Sequence, residues 1–530
     1  MDESIVYKNS YLRKLPVALA ALTVLFVLIP LVLMFRYMDA ESVQAVLSRD
    51  ALGLAVGRSV VASLLTTVIS LVLAYLFAWC MERTAIPGKK VFRILIILPM
   101  LIPSVSIGMG AVMLMGNSGI LTNLLGLQSG NVYGLKGIVW GSVIYSLPVA
   151  FLMIDNILKY EDSSPYEAAE VLGIPKWNQF TAITLPYLRK PMIAAAFSVF
   201  TLSFTDYGVP LMVGGKYKTL PILMYQEVIG QLNFGKGCVY GSILLVPAIV
   251  AFLVDLSTQN SANGGYVTRS FEIMKKKGRD TIAMLFSVAL SVFSVLPILS
   301  FMVIAFVRKY PADMSVTFAN ITKTLQMGGD RFLMNSVVVA VSVAVIGVVL
   351  AIFTAYVTAR TQLRFTRYLH LICMSTGAVP GIVLGLAYVL FFKGSVVYGT
   401  LIVLIMVNTV HFFSSPYLMM YNSFLKVNEN LEIVAATMGI GRKRLLKDIL
   451  LPRCKKTVAE MFSYFFVNCM MTISAVSFLA TSRTKPIALM INQFEAQAQL
   501  EAAAVVSLAI LLINLLVKAL MEWNPKGIRG

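Results

Sequence analysis

The feature that most constrains this chain is a series of apolar runs, each about 20 residues long, spread over the whole sequence. A helix of that length crosses a hydrocarbon layer about 30 Å thick, and in lipid its backbone groups must find partners inside the segment. Only 13% of the residues are charged and 58% are hydrophobic, with a mean hydropathy of +0.81, which is too little charge to cover a soluble domain. The sequence therefore predicts an all-α integral membrane protein that sits in a lipid bilayer.

About twelve of these runs are predicted to be membrane helices. In the first part of the chain they cover 15–37, 59–81, 92–115, 137–158, 191–213 and 238–257. In the second part they cover 281–307, 334–358, 369–392, 398–420, 457–480 and 501–521. An even number of spans places both ends of the chain on the same side of the membrane.

The basic residues predict which side that is. With the N-terminus inside, roughly 30 of the 44 Lys and Arg residues fall in inside loops, including KKKGRD (275–280) and GRKRLLK (441–447). This distribution predicts a multi-pass protein of the cell inner or plasma membrane with cytoplasmic N- and C-termini. The net charge of +19 then reflects topology, and its division among loops argues against a nucleic-acid partner.

The two halves of the sequence resemble each other. The matching segments and residues are 58–84 with 335–361, Pro103 with Pro380, Gly108 with Gly385, and Pro186 with Pro452. The repeat predicts two tandem six-helix units, 1–257 and 281–530, joined by a cytoplasmic linker at 258–280. Since six is even, both units have the same orientation, and a pathway is expected between them near a pseudo-twofold axis.

A polar stretch between two apolar runs, 163–186, is typical of a short helix–turn–helix. Ser164 is predicted to cap the first helix, and Glu167, three residues later, completes a capping box. Gly173 is predicted to end that helix in the left-handed conformation, which glycine adopts without strain. The second half carries a counterpart at 428–452, and we refer to the two stretches as the first and second motif loops.

The second motif loop repeats the important positions of the first, with Asn430 as its predicted N-cap. The common pattern resembles the EAA motif of binding-protein-dependent ABC importer permeases, and the fused two-repeat arrangement is similar to ferric-iron, 2-aminoethylphosphonate and thiamine permeases. The first copy carries Glu167, Ala168, Ala169, Gly173, Ile183 and Pro186. The second copy carries Ala435, Gly439, Ile449 and Pro452, with Glu432 one residue before the glutamate position.

The resemblance implies a type I ABC importer permease fold whose two motif loops dock in grooves of ABC ATPase subunits, two copies per chain, and a partnership with an extracytoplasmic solute-binding protein. An amphipathic helix resting on lipid headgroups is the alternative for these loops. The sequence has no GxxxxGK[ST] phosphate loop and no CxxC spacing, so no enzyme activity, catalytic residue, cofactor or metal site is predicted.

Asp206 is the clearest charged residue within a predicted span, and it is a candidate for the pathway. Two interpretations stay open, in which it faces a cationic substrate or gate, or pairs locally. The stretch FTDYGVPLMVGGKYKTLPILMYQEVIG (204–230) resembles the corresponding stretch of ferric-iron permeases, which favours ferric iron as the substrate, and phosphonate permeases have a similar stretch. Import of 2-aminoethylphosphonate, thiamine or a polyamine is the alternative, and a secondary transporter of the major-facilitator type is the alternative of another class.

Overall fold

The chain is almost entirely helical in the computed structural model, which describes residues 10–126, 132–259, 269, 271–361, 365–428 and 430–522. Helices make up 79% of the structure, and the strands among the described residues form one two-stranded hairpin. The predicted all-α membrane fold is therefore confirmed. The predicted cytoplasmic ends at 1–9 and 523–530 lie outside the described residues, as do 260–268 and 270 of the predicted linker, so the unit boundaries stay a prediction.

The described helices follow the two halves of the sequence. The α-helices of the first half are Ser10–Thr23, Ile29–Arg36, Ala40–Leu47, Asp50–Arg83, Lys89–Ile97, Ser104–Met115, Ile120–Leu125, Leu135–Lys159, Ser164–Val171, Lys176–Gln179, Leu185–Thr205, Gly208–Val213, Leu220–Tyr225 and Phe234–Gln259. Those of the second half are Lys277–Ala305, Ala319–Thr324, Asp330–Arg360, Thr366–Ser375, Gly381–Phe392, Leu401–His411, Ser414–Leu425, Asn430–Thr437, Arg442–Leu445, Leu451–Arg453, Lys455–Met471, Ala488–Ala496 and Leu500–Glu522. The antiparallel strands Val307–Lys309 and Asp313–Val316 lie between the first two long helices of the second half.

By length and composition, eight helices within the described ranges can cross a membrane, or ten if each of two bent helix pairs is one span. The bent pairs are Thr366–Ala378 with Gly381–Phe392, at 107°, and Leu401–His411 with Ser414–Leu425, at 50°. These segments overlap ten of the twelve predicted spans. The other two predictions, 191–213 and 457–480, fall on helices that end early.

Those two predicted spans are interrupted at matching positions of the two halves. Helix Leu185–Thr205 ends before Asp206, whose backbone is extended at φ −72° and ψ 133°. Helix Lys455–Met471 ends in the same way before Thr472, at φ −66° and ψ 133°. The prediction of one continuous helix to residue 213 or 480 was therefore wrong, because an apolar run does not indicate where the backbone leaves the helix.

The first predicted span of each half packs against the opposite half. Helix Lys277–Ala305 contacts Lys89–Ile97 and Ser104–Met115, and helix Ile29–Arg36 contacts Gly381–Phe392. Each half therefore covers apolar surface of the other, so the core is continuous across the interface.

The two helix contacts between the halves are of different kinds. At one, a Cβ on Gly110 would lie 2.7 Å from the Cβ of Pro297, so only glycine allows this approach. At the other, the Tyr388 hydroxyl donates to the Phe26 carbonyl at 2.8 Å, within the π-helical turn Val24–Leu28. A π turn leaves a backbone carbonyl without its usual helical partner, and this tyrosine supplies one.

Candidate functional site

The two motif loops turn in the same way. Gly173 has φ +66° and Gly439 has φ +68°, the left-handed region that a side chain would strain. The isoleucine after each glycine donates its N–H to the carbonyl of Ala169 at 2.9 Å or of Ala435 at 2.8 Å. The predicted left-handed glycine at the end of the first helix is confirmed, and the second loop repeats its geometry.

The starts of the two loop helices differ from the prediction. Asp162 Oδ1 accepts from the N–H of Ser164 at 3.1 Å, and Asn428 Oδ1 accepts from the N–H of Asn430 at 2.9 Å. The predicted caps Ser164 and Asn430 are therefore wrong, since an acidic or amide side chain two residues earlier takes that role. The Glu167 carboxylate accepts from the Ser163 hydroxyl at 2.8 Å, so the predicted capping box with Ser164 does not form.

Both loops expose apolar side chains that sequence reasoning did not single out. They are Val171, Leu172 and Trp177 in the first loop, with 88%, 74% and 72% exposure, and Ile433, Val434 and Met438 in the second, with 56%, 51% and 69%. Clustered exposed apolar groups of this kind mark contact surfaces. An amphipathic reading of each short helix, with the buried alanine facing inward, would have found them.

The remaining predicted residues of the motif differ in how far they are buried. Ala169 and Ala435 are buried, Ile183 and Ile449 are half-buried, and Ala168, Pro186 and Pro452 are exposed. The buried alanines fix each helix against the protein, because a larger side chain there has no room, while the exposed positions face away from it.

An arginine with little side-chain exposure, at matching positions of the two halves, anchors each loop region to the membrane helices. Arg83 donates to the Leu158 carbonyl at 2.9 Å and pairs with Glu161 at 2.5 Å. Arg360, whose side chain is 2% exposed, binds both carboxylate oxygens of Glu432, at 2.6 and 2.7 Å. The predicted loop residue Glu432 thus has a partner inside its own chain, whereas the acid bound to Arg83 lies before the first loop.

Glu167 has a different environment from Glu432. Its side chain is 52% exposed and pairs with Arg269 at 3.0 Å, in the last part of the predicted linker. Phe271, two residues further on, packs against the Tyr166 ring at 5.2 Å between centroids and under the Arg83 guanidinium at 3.7 Å. The end of the linker therefore lies on the first motif loop.

A cavity of about 450 Å³ lies between the two halves. Its polar lining comes from both, and consists of Ser104, Tyr145, Ser198, Thr201, Thr205, Asp206, His411, Ser414, Ser415, Tyr464, Asn468, Thr472 and Ser474. On helix Leu185–Thr205 the lining begins at Ala194, so the cavity extends from Asp206 toward the membrane face that carries the motif loops.

Asp206 lines this cavity and is also bound locally. Its Oδ1 accepts from the Ser104 hydroxyl at 2.6 Å, and its carboxylate accepts from the N–H groups of Gly208 at 3.2 Å and Val209 at 3.0 Å. It thus caps the short helix Gly208–Val213 while supplying the only charge among the described lining residues. The two interpretations of Asp206 are compatible in this geometry.

A stack of aromatic side chains lies next to Asp206 and joins the two halves. The rings of Tyr207 and Tyr225 stack at 5.2 Å, and Tyr225 stacks on Phe478 of the other half at 6.3 Å. The Tyr207 hydroxyl also hydrogen-bonds Ser477 across the interface. Tyr207 follows Asp206 directly, so this stack lies on the side of Asp206 away from the motif loops.

The described residues contain no group of three or more His, Cys, Asp or Glu side chains that could hold a metal ion. His411 lines the cavity, and the other histidine, His370, contacts Tyr417 instead. In this part of the chain the cavity therefore offers one carboxylate with hydroxyl, amide and imidazole groups around it.

Comparison with known proteins gives a family match in each half. A family model described as "Binding-protein-dependent transport system inner membrane component" matches residues 70–260 and 347–530. The chain is 25% identical to the ferric transport system permease protein FbpB of Actinobacillus pleuropneumoniae over 446 residues, 80% of this chain and 63% of that relative. The match therefore spans less than two thirds of the ferric relative.

Two further relatives are named for other substrates. The thiamine transport system permease protein ThiP of Salmonella typhimurium is 22% identical over 475 residues, 87% of each chain. The molybdenum transport system permease protein ModB of Haemophilus influenzae is 30% identical over 165 residues, 30% of this chain and 72% of that relative. Similarity thus extends to permeases named for ferric, thiamine and molybdenum transport.

Proposed function

Because the chain belongs to the family of binding-protein-dependent transport system inner membrane components, we propose that it forms the solute pathway of an ATP-driven importer and receives force through its two motif loops. As a family member with several membrane-crossing helices, it is a multi-pass inner-membrane transport component. The observation that carries the proposal is the pair of loops with the same left-handed turn, at Gly173 and Gly439, and with exposed apolar faces.

Energy comes from a separate protein in this proposal. The sequence has no GxxxxGK[ST] loop, so nucleotide hydrolysis belongs to ATPase subunits, one for each motif loop. A short helix with an exposed apolar face is suited to insertion in a groove of such a subunit. Movement of the two ATPases toward each other would then move the two halves as rigid bodies and switch access to the cavity.

For the substrate we propose ferric iron. Ferric permeases are among the relatives that cover 80% of this chain, and the described cavity lining contains the Asp206 carboxylate with no lysine or arginine. A carboxylate in a cavity enclosed by membrane helices attracts a cation and repels a phosphonate or an oxyanion. The same argument leaves thiamine and polyamines as the alternatives of matching charge.

The test is uptake into proteoliposomes that contain the purified permease with the ATPase subunits that co-purify with it. The external solution supplies radiolabelled ferric iron bound to a candidate binding protein encoded beside the permease, and ATP is enclosed with the ATPases. We expect accumulation that requires both ATP and the binding protein. Uptake by the permease alone, driven by a proton gradient, would overturn the proposed function. Transport of labelled phosphonate in place of iron would overturn the assignment of ferric iron as the substrate.

A further inference from the structure

Two clusters of cations lie at matching positions in the two halves, at the end of the helices away from the motif loops. In the first, Arg58 donates to the Lys216 carbonyl at 3.1 Å, and its guanidinium lies 5.1 Å from the centre of the Tyr217 ring. The Tyr217 hydroxyl donates back to the Arg58 carbonyl at 3.2 Å. These contacts join the helix that carries Arg58 to the turn that carries Lys216 and Lys218, and we call the three cations the first cation bracket (Arg58, Lys216 and Lys218).

The second half repeats the construction with two cations, Arg483 and Lys485, which we call the second cation bracket. Asn335, at the position equivalent to Arg58, donates to the carbonyls of Arg483 at 3.0 Å and Lys485 at 3.4 Å. The backbone after each bracket is fixed by the same contact, from Leu220 N–H to Ser59 Oγ and from Ile487 N–H to Ser336 Oγ, both at 2.8 Å.

One lysine in each bracket is held by a glutamine on the following helix. Lys218 Nζ donates to Gln226 Oε1 at 3.2 Å, and Lys485 Nζ donates to Gln493 Oε1 at 2.8 Å. A neutral amide positions the ammonium group without cancelling its charge. Each bracket therefore holds one ammonium group in place at equivalent positions of the two halves.

None of the five bracket cations pairs with a carboxylate in the part of the chain that the structure describes. Nearby Arg49, in contrast, is neutralised by the buried Glu227 at 2.6 Å. Fixed cations without acidic partners favour an acidic partner from outside the chain.

The brackets and the motif loops lie on opposite faces of the membrane. Arg58 and Arg83 belong to one helix, Asp50–Arg83, and are separated by roughly 37 Å at the usual helical rise. Arg83 binds Glu161 beside the first motif loop. If the motif loops meet the ATPases, the brackets face the extracytoplasmic side.

We propose that the two cation brackets dock the extracytoplasmic binding protein through two acidic patches on its surface, an inference that rests on the proposed function. Two similar brackets at matching positions fit a single partner that presents one acidic patch to each half. A free cation would be repelled by five positive charges, so a cationic cargo reaches the pathway enclosed in such a carrier. The first bracket, with three cations, contributes more to binding than the second.

The test uses the permease–ATPase complex in lipid nanodiscs and, as probe, the iron-loaded binding protein that supports uptake in the proteoliposome assay. Its dissociation constant is measured by biolayer interferometry over a range of sodium chloride concentrations. We expect Lys218→Glu to weaken binding about 10-fold, Lys485→Glu about 5-fold, and the double variant more than either, with a weaker salt dependence in each. The milder Lys218→Gln and Lys485→Gln changes should act in the same direction.

The matched control is Lys323→Glu, which reverses an exposed cation at the same end of the helices, outside both brackets. It should leave the dissociation constant unchanged, and none of the variants should change basal ATP hydrolysis. Reversal of an acidic patch on the binding protein should restore affinity for the double variant.

Unchanged affinity in the double variant would overturn the bracket proposal while uptake by the unaltered complex upholds the proposed function. Loss of bound anionic lipid without loss of binding-protein affinity would identify the brackets as a lipid surface and would equally overturn it. If no binding protein supports uptake by the unaltered complex, the proposed function itself fails.

Discussion

At the ends that carry the motif loops, the two halves have a similar backbone arrangement but are stabilised by different side-chain contacts. In the first half, Arg93 bridges the carboxylates of Glu82 and Asp155, and its guanidinium lies 5.8 Å from the centre of the Phe151 ring. Asp155 is largely buried, with 9% of its side chain exposed, so its charge depends on this arginine. The first half thus uses a network of ions.

The second half uses a histidine and two tyrosines instead. His370, at the position equivalent to Arg93, hydrogen-bonds the Tyr417 hydroxyl through Nδ1 at 2.5 Å, and its ring lies 4.5 Å from that of Tyr421. Tyr421 occupies the position equivalent to Asp155. Repeated glycines, prolines and buried arginines therefore preserve the shape of each half, while the side chains that fill or face that shape have diverged.

The largest effect is expected where the two halves agree most closely, at the glycines of the motif loops. Gly173→Pro and Gly439→Pro should each prevent co-purification of the ATPase and reduce uptake by about 100-fold or more, because proline cannot adopt positive φ. Membrane insertion should be unchanged. Gly173→Asn is the control, since asparagine tolerates the left-handed region, and it should keep most of the assembly. ATPase recovery at normal yield with both proline variants would contradict the docking role.

The next largest effect is expected at a cavity position where the halves differ, which is Asp206 in the first half and Thr472 in the second. Asp206→Asn should lower ferric uptake about 30-fold, because it removes the carboxylate charge that attracts the cation. Asparagine can still cap the helix through one oxygen but cannot accept from Val209 N–H as well, so the thermal stability should fall by about 1 kcal/mol. Thr472→Ser, at the matching position of the other half, should change uptake less than 2-fold. Normal uptake by Asp206→Asn would exclude a role for this charge in the pathway.

Some of this arrangement could be predicted from sequence because it depends on local rules. Gly173 lies at a helix end where the turn needs a residue in the left-handed conformation, which glycine supplies. Two copies of this pattern at matching places identify the loops. The helix breaks at Asp206 and Thr472 could not be predicted, since the apolar runs continue through them without an adjacent proline. The pairing of Arg360 with Glu432 joins residues 72 positions apart, so it depends on tertiary packing that no local pattern reports.

The two inner networks should differ in their contribution to stability. Arg93→Gln leaves two carboxylates facing each other and should cost about 2 kcal/mol of unfolding free energy. His370→Phe loses one hydrogen bond but keeps an aromatic ring, and should cost about 1 kcal/mol. Thermal unfolding of both variants in one detergent gives the comparison. Glu82→Gln in the Arg93→Gln background should recover part of the loss, and a larger cost for His370→Phe would reverse the ranking of the networks.

The smallest effect is expected at the exposed glutamate that distinguishes the first motif loop from the second, where Ile433 lies at the matching position. Glu167→Gln should weaken ATPase binding about 3- to 10-fold at low salt and less at high salt, because a half-exposed charge is partly screened. Arg269→Ala should strengthen binding slightly, since it frees the carboxylate from its partner within the chain. Glu170→Gln, an exposed acid on the same helix, is the matched control and should change affinity less than 2-fold. Equal losses for Glu167→Gln and Glu170→Gln would mean that the ATPase senses only the overall charge of the loop, and the two loops would then differ in their apolar contacts alone.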